Sequence, residues 1–567
     1  MDIIAKTKGQ IDELINAACE KARAAGTLPA GGLLSGSVEI PRETSHGDFA
    51  ATHAMAAAKE LKAPPRRIAE ALLDQIELDG TFFRSAAVAG PGFINFFLSE
   101  KWYGDVLRDV EAGGSNYGSL DIGKGQRVMV EFVSANPTGP MTIGNARGGV
   151  LGDTLAAVLE KAGYDVWREF LVNDAGNQVD LFGRSIDARY MQLCLGEENV
   201  EFPDDGYHGD DIRELAKLIY DTDGDRFKDL PAEVRSAQFA GFALPRNVAG
   251  MKEDLERYRI FFDEWFHESR MHESGYIAET VKLLDEGGLL YEKDGALWLR
   301  NIDLGADKDE VLLRANGFYT YYAADIAYHR DKLARGFDRI IDVWGGDHHG
   351  HAKRMKASLS SKELGEALGV DGNKLDFLLM QMMRLTRDGE TIKVSKRTGK
   401  AITLGDLLDE ISVDACRFFF CAKPDSHFDF DLGVAVRQDS ENPVYYVQYA
   451  HARIHSLVSM LAADGYAVPG CGGIDASLLA AAEELELIKQ IALLPEEIKA
   501  AARDYDPSKI SKYVIELAAR FHRFYYACRI RGEERPLLLA RLKLAETARA
   551  VIRICLELLG VSAPEKM

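Results

Sequence analysis

Two lysines set three residues apart, Lys393 and Lys396 in the run Lys393-Val394-Ser395-Lys396-Arg397, are followed by Thr398-Gly399-Lys400. Ammonium groups on a loop with a glycine at its end suit closing over phosphate oxygens. As a bare pattern the run reads as a solvated basic loop. Its weight comes from a second stretch about 250 residues earlier, Glu131 to Asp153, EFVSANPTGPMTIGNARGGVLGD. That stretch starts apolar and β-prone, breaks at Asn136, Pro137 and Gly139, and resumes as a helical pattern expected from about Gly148 through Leu159. Strand, tight loop and helix in succession let a ligand approach the backbone, and the helix start turns N–H groups and a positive dipole end toward an anion. Phosphate is the expected guest. The stretch holds neither GxxxxGK[ST] nor GxGxxG. Asp347, His348, His349 and His351 have metal-binding chemistry, but ligands from one strand–turn–helix do not all converge on one ion, so no metal is expected there. His208 reads as a structural or surface histidine.

The elements that position these groups follow from pattern. Residues 1 to about 100 read as a small α/β unit: a helix, the strand-like SVEI, a helical stretch from Ala50 to Leu61, a helix opened by Pro64 and Pro65, and a strand in AGPGFINFFL. GGSNYGSLDIGKG is a turn-rich linker. Strand RVMVEFV, the loop and its helix, and the strand in DVWREFLVNDAGNQ make a parallel βαβ unit, whose ligands gather at the carboxyl ends of strands. Residues 180 to 275 interrupt this rhythm with helical, polar material. It resumes through GALWLR and EVLLR to RIIDVW, which ends in Gly345-Gly346. From about 435 strand signals cease and long amphipathic repeats predict a helical bundle. The expected architecture is therefore multidomain α/β: an N-terminal α/β domain over 1–105, a catalytic domain with a Rossmann-type parallel sheet and helical insertion over 106–435, and an all-α domain over 436–567.

The 567 residues exceed what one core holds, and 47% hydrophobic with 28% charged residues is globular composition. No apolar run approaches the roughly 18 residues of a membrane helix, so no membrane partner is expected. The seven cysteines stand singly, which points to reduced thiols, a cytoplasmic setting and no zinc knuckle. The net charge of −21 governs long-range steering, whereas local patches govern docking. One such patch runs from Arg523 to Arg553, with eight Arg or Lys against three Glu and with Phe521, Phe524, Tyr525 and Tyr526 interleaved.

The loop and KVSKR together resemble the two signatures of class I aminoacyl-tRNA synthetases, and EFVSANPTGP is similar to the arginyl-tRNA synthetases in particular. The resemblance runs the length of the chain, through Gly47-Asp48-Phe49, Ala89–Phe96, the WGGDHHG segment and NPVYYVQYAHARI. It implies ATP-dependent activation of L-arginine to arginyl-adenylate, with Mg²⁺, and transfer to the terminal adenosine of tRNA(Arg) by a monomer. It implies ATP contacts from Thr138, Gly139, Pro140, Thr142, Gly144, Asn145, Asp347, His348, Lys393, Ser395 and Lys396. Arginine is a planar, permanently charged fork, suited to carboxylates and a stacked aromatic. Asp325 with Tyr321, four residues apart on one helical face, and Glu268 would meet it, while Glu131, Ser134 and Asn136 would hold its α-amino and carboxyl ends. Arg523, Tyr525, Arg529, Arg531 and Arg549 would contact tRNA. Where the family carries His-x-Gly-His, this chain has Thr142-Ile143-Gly144-Asn145. Thr142 and Asn145 are neutral donors of shorter reach, so donation survives while an imidazolium does not form. The expectation is an active arginine–tRNA ligase with Thr142, Asn145, Lys393 and Lys396 as catalytic groups; the alternative is a catalytically weakened, synthetase-like tRNA-binding protein.

Overall fold

The structure is a computed structural model that describes residues 2–387, 389–392, 402–422 and 424–567. Five parallel strands form the central sheet: β1 (Arg127–Glu131), β2 (Asp165–Val172), β3 (Glu264–His267), β4 (Arg339–Gly345) and β5 (Leu375–Met380). Their spatial order is β5-β4-β1-β2-β3, so the winding reverses between β1 and β4 and opens a crevice beyond Glu131 and Gly345. Helix α1 (Ile143–Lys161) follows β1. It begins about five residues earlier than its glycines suggest, because Thr142 and Asn145 form a capping box at its start. The glycines serve contact instead: a Cβ on Gly152 would lie 2.2 Å from Cγ of Phe132.

The helical insertion comprises α2 (Asn177–Leu195), α3 (Asp210–Asp223) and α4 (Ala232–Arg257), packed on a small core of their own around Phe182, Tyr190 and Phe239. Beyond α4, residues 264–267 are not insertion but the edge strand β3. Helix α5 (Tyr321–Ala334) lies over the sheet, and α6 (His349–Ser360) follows β4.

Before the sheet, an antiparallel four-stranded sheet packs with helix Ile3–Ala24. There Phe49–Ala51 is a strand rather than a helix start, because it is paired to Phe93–Leu98 with Phe49 opposite Phe96. Helix Glu100–Gly113 runs across residue 105 and packs on the helical bundle of residues 443–558. One apolar cluster runs from Ile3 to Val561 and joins the N-terminal sheet, the central sheet and the bundle. At its centre the buried Arg417 donates from Nε to Leu559 O (2.8 Å) and from Nη1 to Tyr258 O (3.1 Å), and pairs through Nη2 with Asp153 of α1.

Candidate functional site

The crevice is an open cavity of ≈ 1640 Å³ at the carboxyl ends of β1 and β4. Its floor starts at Glu131, the last residue of β1. Immediately after it Val133 (φ 68°) and Ser134 (φ 40°) take left-handed backbone, a costly conformation for a β-branched residue. The bend aims Ser134 back at the strand: its hydroxyl donates to Glu131 Oε1 (2.6 Å) and accepts from the Leu171 N–H (3.1 Å). Asn173 at the end of β2 donates to Asn136 Oδ1 (3.0 Å).

The loop then runs past Thr138, Gly139 and Pro140 to the cap of α1. Asn247 of α4 holds it by donating to Pro137 O (2.8 Å). Asn145 Oδ1 accepts from both the Thr142 N–H (2.9 Å) and the Thr142 hydroxyl (2.8 Å). That assigns the oxygen of the Asn145 amide to the cap and leaves its NH₂ as the donor beside the cavity. The segment after the second signature is tied here too, since the Leu404 N–H donates to Met141 O (2.9 Å) and Thr142 bridges Thr403. Lys393, Ser395 and Lys396 lie outside the described residues.

The opposite wall carries Glu268, Tyr321 and Asp325. Asp325 accepts from His351 Nε2 (2.6 Å), and the His351 ring stacks on Trp344 at 5.5 Å. His351 therefore orients a carboxylate, while Asp347 and His348 stand exposed on the cavity wall. His272 reaches Glu268 Oε1 (3.3 Å), and that hydrogen bond raises its pKa above the usual histidine value. His208, read from sequence as a surface or structural group, lines the insertion side of the cavity against Phe202.

Beneath this wall lies a feature that sequence reasoning missed. Glu169 of β2, Glu131 of β1 and Asp342 of β4 occupy partnered positions on adjacent strands, a row of three buried carboxylates across the sheet. One helix face answers them. From α5, Lys332 pairs with both Glu131 and Asp342 (2.8 Å to Asp342), and His329 Nε2 meets Asp342 Oδ2 (2.8 Å). Just past the helix, Arg335 grips Glu169 with two contacts of 2.7 Å, and Tyr328 adds its hydroxyl at 2.8 Å. His329 Nδ1 faces the Asp325 carbonyl at 2.7 Å. Both ring nitrogens thus face oxygens. Three carboxylates meet Arg335, Lys332 and His329. Burial alone would lower the Lys332 pKa, but Asp342 and Glu131 overcome it and hold it above the usual lysine value.

The tRNA-contact residues are dispersed over the bundle. Arg523 is exposed, Tyr525 lies under the Arg453 guanidinium (4.0 Å), Arg529 donates to Arg531 O (2.9 Å), Arg531 pairs with Asp464 (3.0 Å), and Arg549 pairs with Glu546 (2.6 Å). Much of the basic run is thus neutralised within the fold.

Three family models match the chain: arginyl tRNA synthetase N terminal domain over residues 9–98, tRNA synthetases class I (R), catalytic domain over 111–217, and DALR anticodon binding domain over 447–567. The arginine–tRNA ligases of Acetivibrio thermocellus and Ruminiclostridium cellulolyticum are each 49% identical to it, with 100% of both chains covered. Among solved structures, a putative arginyl tRNA synthetase from Campylobacter jejuni superposes with a TM-score of 0.74 at 35% identity, covering 83% of this chain and 100% of that one. Thermus thermophilus arginyl-tRNA synthetase, at 22% identity and a TM-score of 0.73 over 99% of this chain and 100% of that one, shares the fold.

Proposed function

The chain belongs to the arginyl-tRNA synthetases of class I, and from that premise we propose how its residues divide the ligase reaction, in which ATP activates L-arginine and the arginyl group passes to tRNA(Arg). The observation that carries the division is the single cavity, with a phosphate-type loop and helix start on one wall and Glu268, Tyr321 and Asp325 on the other. Arginine lies between them. Asp325, oriented by His351, and Glu268 take the guanidinium, Tyr321 covers its face, and Ser134 and Asn136 place the α-amino and carboxyl ends near Glu131. The arginine carboxylate then attacks the α-phosphorus in line, and pyrophosphate leaves. Positioning and charge carry such a step. Thr138, Gly139, Pro140 and Gly144 let the nucleotide approach, and Asp347 and His348 meet its adenosine. Asn145 donates its NH₂ to the α-phosphate, and Thr142 holds that amide in place. Lys393, Ser395 and Lys396 close on the outer phosphates of ATP, which enters as its Mg²⁺ complex. We take the working species to be a monomer in a reducing cytoplasm, in keeping with seven unpaired cysteines, six of them buried. Arg523, Arg529 and Arg531 are the tRNA contacts on the bundle that exposure favours.

The test is charging of total tRNA with labelled arginine by the full chain, beside Asn145→Asp. This variant keeps the acceptor that caps α1 and removes the amide donor. Wild type is expected to charge tRNA. The variant is expected to lose about 100-fold in kcat, the size of one transition-state donor, with an unchanged melting temperature. A wild type that binds tRNA yet releases no pyrophosphate overturns the assignment; a variant with full kcat removes Asn145 from it.

A further inference from the structure

Asp325, Tyr328, His329 and Lys332 recur at helical spacing on α5, so one face carries both the cavity carboxylate and the groups that grip the sheet, with Arg335 just beyond. Sliding a helix by one residue moves its side chains by about 1.5 Å along the axis. Close apolar packing resists such a slip. A row of three carboxylates facing Arg335, Lys332 and His329 adds to that resistance, because any slip leaves a buried charge without its partner. The middle of the row reaches the site: Glu131 lines the cavity, and Asp325 lies two turns up α5 from Lys332. The separation between the two ends of the substrate pocket is therefore written in the register of α5 on β1 and β4.

We propose that the clamp of Glu169, Glu131 and Asp342 against Arg335, Lys332 and His329 is the ruler of this site: it fixes the distance from Glu131 to Asp325 and so selects the length of the cationic side chain accepted, with Lys332 and His329 as positioning residues. The proposal rests on the arginine reading of the cavity and deepens it. Lys332 acts twice. It bridges β1 and β4, and it faces Glu131; burial raises the pKa of that carboxyl and Lys332 opposes the rise. A shorter cation such as ornithine reaches only one end while the ruler holds. Once the register loosens, the pocket shortens for it and discrimination falls.

The experiment compares the full chain with Lys332→Met/Asp342→Asn, which removes Lys332 together with one of the two carboxylates it bridges and leaves the Arg335–Glu169 pair in place. L-arginine and L-ornithine binding are measured by calorimetry, with the melting temperature as a check on folding. In the variant the arginine Kd is expected to rise about tenfold and the ornithine-to-arginine Kd ratio to fall at least about tenfold, tenfold being about 1.4 kcal/mol. A purely structural clamp would lower the melting temperature or the fraction of active sites and leave that ratio in place, and an unchanged ratio overturns the proposal. Asp342→Asn alone, which keeps every side-chain volume, is read in the same way where the double variant does not fold. Wild type that fails to bind arginine sinks the arginine reading itself; wild type that binds it with selectivity unmoved in both variants sinks the ruler alone.

Discussion

At the scale of single residues, the cavity carries a built-in competitor for its substrate. His272 donates to Glu268, and a protonated imidazole there occupies the carboxylate that a guanidinium would take. Besides Glu268, the charged group facing His272 is Asp174, itself bonded to His267 (2.7 Å) and Ser269. The folded pKa of His272 is raised, so its ion pair with Glu268 stabilises fully below the unfolded value near 6.5 and is lost as pH rises through the folded value. Arginine KM is accordingly expected to fall as pH rises across that window, and to be lower and flat in His272→Asn. Steady-state kinetics from about pH 6 to 8 reads this directly; a variant that keeps the wild-type pH profile would remove His272 from arginine binding. The candidate residues that line the cavity could be named one at a time. The loop from Glu131 to Asn145 announces itself by its strand and its turn residues, whereas the spacing of Tyr321 and Asp325 alone reads as an ordinary helix pair and gained weight only beside the family resemblance. Lys332, His329 and Arg335 carried no such signal, because their partners Glu169, Glu131 and Asp342 sit on three strands far apart in sequence. Only the strand register aligns them.

At the scale of elements, glycines misled the reading of α1 for a physical reason. Gly144, Gly148 and Gly149 lower helix propensity, which put the expected start near Gly148. The capping box of Thr142 and Asn145 and the tight approach of Phe132 to Gly152 outweigh that preference. Likewise Ala50 and Ala51 are good helix formers taken into a strand by pairing with Ile94 and Asn95. A different glycine has a backbone role. Gly560 (φ 63°) turns the chain at the end of the last helix, and a Cβ there would lie 2.3 Å from the Arg417 guanidinium. Gly560→Ala adds strain at a left-handed position and displaces a buried cation, so it is expected to cost about 1–3 kcal/mol. Urea unfolding measures this; an unchanged midpoint would show that Arg417 has room to move.

At the scale of the molecule, the first and last parts of the chain are one mechanical body. Lys489 pairs with Asp48 (2.6 Å), Lys8 with Glu496 (3.1 Å), and the buried Tyr117 hydroxyl donates to Ile491 O (3.0 Å). With the core shared, the N-terminal domain and the bundle are expected to unfold in one calorimetric transition. Tyr117→Phe should lower its midpoint by the loss of one buried hydrogen bond, about 1–2 kcal/mol; two separate transitions would show that the contacts are superficial. The Arg417 junction extends this unity into time. Its partner Asp153 and the carbonyl of Tyr258 are made early during synthesis, whereas the carbonyl of Leu559 is among the last groups to arrive. Domains fold as they emerge from the ribosome, but this guanidinium keeps an unanswered donor until the final helix closes over it. The helix that follows the phosphate-type loop is therefore held in place by a carbonyl from the helical bundle, so its seating is coupled to the folding of that bundle.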